Sequence, residues 1–125
     1  MKLLCIVSLF ASAQAFASED WELVWVTHDT GWEINKGHGA LPRKGDALDG
    51  TLVANDDGRV DYKLHVELKG GNATGTFTVV SENDGPSRLA GTYKKWATSA
   101  THCPEQIQLA NDHEYIGLAR DACAH

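Results

Sequence analysis

Six histidines are spread along the chain: His28, His38, His65, His102, His113 and His125. They are the first residues to test for chemistry. A zinc ion needs three or four ligands converging at about 2.0–2.3 Å. The histidines that stand beside carboxylates are in His28-Asp29 and Asp112-His113-Glu114. Neighbours in a strand point to opposite faces, so neither run can close on one ion. No metal and no cofactor is implied; a centre assembled from distant strands is the one remaining route. His113-Glu114 lacks the second histidine of a zinc-protease helix. Gly70-Gly71-Asn72-Ala73-Thr74-Gly75-Thr76 has the glycine spacing of a phosphate loop without its lysine. Gly37-His38-Gly39 does not complete a dinucleotide fingerprint, because Pro42 stands where the third glycine belongs. There is no G-x-S-x-G nucleophile elbow. Asp56-Asp57 falls in the turn-forming run Asn55–Gly58, where hydration keeps two carboxylates alike instead of separating them into acid and base.

The tryptophans are more informative. Trp21, Leu23 and Trp25 alternate, which places all three on one face of a strand, expected to be the core face. Trp32 lies in a glycine-rich stretch, and Trp96 follows Lys94-Lys95 at a strand end. Loop positions carry function more often than strand interiors, and indoles serve ligand, glycan and protein surfaces. Trp32 and Trp96 are therefore the candidate ligand- or partner-binding residues. Asn72-Ala73-Thr74 is an N-x-T sequon in a glycine turn; Asn72 is a glycosylation site if the chain passes through a eukaryotic secretory path.

These residues need a compartment and a scaffold. Lys2, the apolar run Leu3–Phe10 and Ala15-Phe16-Ala17 have the layout of an export signal, so residues 1–17 read as a leader and 18–125 as one exported domain. About 108 residues remain, enough for one core. The formal charge is −6, and loss of Lys2 makes it one unit more negative. That balance argues against nucleic acid and against an anionic membrane, and allows a basic partner. No later stretch is long and apolar enough to span a bilayer. Cys5 goes with the leader, leaving Cys103 and Cys123, which should pair in an oxidising periplasmic or extracellular space.

Val60, Tyr62, Leu64, Val66 and Leu68 alternate with Asp61, Lys63, His65, Glu67 and Lys69, the pattern of a half-buried strand. His65 falls on its wet face. Further strands are expected at Trp21–Thr27, Leu48–Ala54, Thr74–Ser81, Arg88–Lys95, around Ile107 and Leu109, and at Tyr115–Ala119. The stretch 31–46 reads as a long loop with a short strand near Trp32–Asn35. Turn signals every eight to twelve residues give an all-β fold, a small antiparallel meander forming a barrel or sandwich of about seven or eight strands. Gly50-Thr51-Leu52, Gly75-Thr76-Phe77 and Gly91-Thr92-Tyr93 repeat glycine bends of the kind that curl a sheet into a barrel. An exported, glycine-kinked all-β domain of this length resembles, at the level of fold, small barrels such as calycins and bacterial inhibitor or immunity proteins. One fold hosts many functions.

The function expected is a non-catalytic binding module for a small molecule, glycan or partner protein, inhibitor-like in the last case. The alternatives are a metal-dependent or hydrolytic enzyme with a site built from scattered His, Asp and Glu, and a structural envelope or matrix component joined by edge strands. On that last reading, Lys63 and Lys69 guard the edges.

Overall fold

A computed structural model describes residues 17–27, 37–54, 59–80 and 86–123. Among them are eight strands: β1 (Ala17–Thr27), β2 (Gly37–Lys44), β3 (Ala47–Ala54), β4 (Val60–Lys69), β5 (Asn72–Val79), β6 (Ser87–Lys95), β7 (Pro104–Ala110) and β8 (Tyr115–Asp121). Each pairs antiparallel with its sequence neighbours, and β8 returns to β1, closing the sheet into a barrel. Closure settles the choice between barrel and sandwich. It also removes the edges that Lys63 and Lys69 were expected to guard. Their strand, β4, is paired on both sides, to β3 and β5.

Period two sorts the side chains. In β4, Tyr62, Leu64, Val66 and Leu68 face inward and are buried, while Lys63, Glu67 and Lys69 face water. Trp21, Leu23, Leu41, Leu48, Leu52, Phe77, Leu89, Ile107, Leu109, Ile116 and Leu118 complete the bulk of an apolar filling. The interior is thus packed with side chains. The glycine echo sits mid-strand, with glycine inward, threonine outward and the bulky residue inward. A Cβ on Gly75 would collide with the His65 carbonyl oxygen, and one on Gly91 with that of Gln108. Both collisions are with backbone of the neighbouring strand, which lies too close there for any side chain. Two tight turns use glycine differently. Gly45 (φ 61°) and Gly70 (φ 62°) take the first central position of two-residue hairpin loops, a conformation that side chains resist.

Two expectations need correction. The stretch read as loop contains the full strand β2. Its inward positions are Gly37, Gly39, Leu41 and Arg43, so apolar alternation was hidden by glycine and a charge. The expected strand at Trp32–Asn35, like Trp32 itself, lies outside the described residues. Trp25 does not share the face of Trp21 and Leu23. A bulge between Leu23 and Trp25 takes up one extra residue, leaving Val24 46 % exposed and returning Val26 to the core. Trp25 is re-aimed to the outer wall beside Gly117. There it meets Tyr115 edge-on, with ring centroids 6.2 Å apart.

Candidate functional site

Strands β2, β4, β6 and β8 all finish at one end of the barrel, and Cys103 and Cys123 lie there, bracketing the β7–β8 hairpin at disulfide distance with Cα atoms 5.1 Å apart. A bridge over about 20 residues is worth roughly 3 kcal/mol in the chain-entropy account.

Just inside this end sits a polar cluster that the sequence reading missed. Glu19 of β1, Arg43 of β2, Tyr93 of β6, Glu105 of β7 and Arg120 of β8 all occupy inward positions. The Glu105 carboxylate, 2 % exposed, accepts a 2.6 Å hydrogen bond from the Tyr93 hydroxyl and one of 3.3 Å from Arg120. Arg43 donates to Glu19 at 3.0 Å and reaches Glu105 at 3.5 Å; its Nε lies 2.9 Å from Glu19 as an ion-pair contact. Arg120 also meets Glu19 at 3.0 Å and stands 5.6 Å from the Trp21 ring centroid, a cation–π contact. The Trp21 indole N–H donates to Glu19 at 3.3 Å. Two carboxylates thus face two guanidiniums. Burial works against the Arg43 charge, but the bond to Glu19 and the charges of Glu19 and Glu105 outweigh it and raise its pKa. Burial, and then Glu105, push the Tyr93 hydroxyl up as well. Each carboxylate has its partners, and the arrangement plugs the barrel. The signal was present: Glu105 is in phase with Ile107 and Leu109, Arg120 with Ile116 and Leu118, and Glu19 with Trp21 and Leu23.

Beyond the plug, the chain leaves β6 at Trp96 and returns to β7 at Pro104. This short excursion is bonded to itself. Trp96 N–H donates to Pro104 O at 3.1 Å and Thr98 N–H to His102 O at 2.9 Å, and Ser99 bridges to His102. At its base, Asp121 accepts from Cys103 N–H at 2.7 Å and Cys123 N–H at 3.1 Å, and pairs with His102. The Cys103 N–H, with the Cys123 N–H and His102, holds the Asp121 carboxyl below its ordinary pKa. On this clasped hairpin Trp96 is 42 % exposed. Asn72 opens β5 on the neighbouring turn and is exposed, as is Thr74 of its sequon.

Of the two tryptophan candidates, Trp96 stands at the disulfide end and Trp32 lies outside the described residues. His28, His125 and Asp56-Asp57 lie outside the described residues. Among the described residues no group of three or more His, Cys, Asp or Glu side chains is placed to hold a metal. His65 shows why. Asp49 meets its Nδ1 at 2.6 Å and Glu67 its Nε2 at 3.5 Å, so the carboxylates sit on opposite sides of the ring. His65 is therefore engaged and not merely solvated. The bond to Asp49 raises its pKa, aided by the charges of Asp49 and Glu67 and opposed by slight burial. A raised folded pKa stabilises below the ordinary histidine value of about 6.5, and the gain is lost as pH rises through the folded value. The melting-temperature difference between wild type and His65→Gln should grow towards pH 5 and shrink in alkali. A difference that stays flat from pH 5 to 9 would remove the charge contribution.

Comparison of the chain with family models, with curated proteins and with solved structures finds no match.

Proposed function

We propose that this chain is an exported, non-catalytic binding module that docks a partner protein on its disulfide end, with Trp96 as the anchor. The observation that carries this reading is an indole 42 % exposed on a hairpin held at its base by a cysteine pair and by Asp121. Binding residues fixed in advance lose little entropy on association. Tryptophan is also enriched among the residues that dominate interface energies. The packed interior directs recognition to the rim. The leader-like sequence, the cysteine spacing and the lack of a membrane-crossing helix among the described residues are compatible with export. In a eukaryotic host a glycan on Asn72 would stand on the same rim.

Trp96→Ala removes an exposed side chain, so the melting temperature should stay within about 2 °C of wild type. Capture of the native partner should weaken roughly 30-fold, the value of an anchor worth about 2 kcal/mol. Undiminished capture by a folded Trp96→Ala protein contradicts the reading.

A further inference from the structure

The disulfide end gathers lysines. Lys44 closes β2, Lys69 closes β4, and Lys94 and Lys95 close β6; all four are exposed. Two backbone bonds join these turns into one rim. Leu68 N–H donates to Asp46 O at 2.8 Å, seating the β2–β3 turn against the end of β4. Tyr93 N–H donates to Gly71 O at 2.9 Å, seating the β4–β5 turn against β6. Trp96 follows Lys95 directly. Most carboxylates at this end are engaged. Glu19 and Glu105 are held by Arg43 and Arg120, Asp121 by two backbone N–H groups and His102, and Glu67 lies 3.5 Å from His65. Asp46 is exposed on its turn. On a chain of formal charge −6, this rim presents four exposed lysines beside the exposed carboxylates of Asp46 and Glu67.

We propose that this rim recognises an acidic polypeptide segment on the partner protein, with its carboxylates against Lys69, Lys94 and Lys95 and an apolar group against Trp96. The inference rests on the reading of Trp96 as the anchor and adds the chemistry of what it meets. It reverses the basic partner suggested by net charge alone, because local charge at the docking face steers association. An anionic bilayer fits less well. A membrane surface gains about 1 kcal/mol per nearby lysine, but the rest of this acidic chain would be repelled by the same surface.

The test uses the processed, oxidised full chain, with the Trp96 indole N–H and the lysine-rim amides followed by NMR. Poly-L-glutamate is the probe; poly-L-lysine and phosphatidylglycerol vesicles are the contrasts. Poly-L-glutamate should shift resonances at 69–72 and 94–103, with at least fivefold weaker binding at 300 mM than at 50 mM salt. Lys94→Glu/Lys95→Glu should abolish the response at an unchanged melting temperature. A response that survives this double charge reversal, one confined to poly-L-lysine, tighter binding to vesicles, or no response at all would each overturn the proposal. Native partner capture separates the two levels. If Trp96→Ala loses the partner and the charge reversal keeps it, this inference alone fails. If Trp96→Ala keeps the partner, the anchor reading itself fails.

Discussion

Glu105→Ala lowers the melting temperature by roughly 10–20 °C, equivalent to about 3 kcal/mol for a domain of this size. Glu105 is 2 % exposed and binds Tyr93, Arg43 and Arg120. Its removal leaves two guanidiniums to share Glu19 inside the barrel and strands the Tyr93 hydroxyl. Losing one member of a buried ion network costs about 3–5 kcal/mol, because the remaining charge is uncompensated. The lower end applies here, since Glu19, Arg43 and Arg120 keep 14–25 % side-chain exposure and water can reach them. Glu105→Gln, which keeps an acceptor for Tyr93 but not the charge, should fall between wild type and alanine. The check is urea unfolding of all three proteins. A loss below about 1 kcal/mol for alanine would mean that the cluster is incidental to the closure of the barrel.

Gly91→Ala should be nearly as damaging, for a steric reason. The added methyl would overlap the Gln108 carbonyl oxygen and sit 2.8 Å from its carbon and 3.1 Å from Leu109 Cα. All three are backbone atoms of β7, so no side chain can swing aside. Strands β6 and β7 must separate and stretch the ladder that pairs Gly91 with Leu109. Overpacking of this kind costs about 1–3 kcal/mol, and backbone opposition favours the upper end. Gly71→Ala is the control. Its nearest neighbour, the Tyr93 carbonyl oxygen, lies 3.9 Å away, and its φ is not in the left-handed region. It should unfold within about 0.5 kcal/mol of wild type. Equal stability of the two alanine variants would contradict the close approach at Gly91.

The contrast between these glycines also shows how much of the fold is legible in the sequence. β4 was legible because five apolar residues keep strict phase and turn residues bracket it. The Gly-Thr-bulky echo pointed to bends in a sheet but left barrel and sandwich open; closure comes from the pairing of β8 with β1, and each echo places its glycine and bulky group inside. β2 was not legible, because Gly37, Gly39 and Arg43 occupy positions where an apolar residue would have declared a strand. Trp25 was misplaced for a different reason: a one-residue bulge flips every later side chain, and nothing in Leu23-Val24-Trp25 marks where it falls. The polar plug was not legible, because Glu105, Arg120 and Glu19 keep core phase but are charged. Trp96 was legible as a strand-end indole. Its clasp was not, because Asp121 meets Cys103 across 18 residues.

The central claim is that recognition happens at the disulfide end. A photo-cross-linking residue placed at Trp96 in one protein, and at Asp112 of the exposed β7–β8 turn in another, tests it directly. Exposed in turn to the native exported milieu, the protein labelled at 96 should yield a discrete adduct with one partner. The protein labelled at 112, at the opposite end of the barrel, should yield none. An adduct from position 112 without one from position 96, or none from either, contradicts the account.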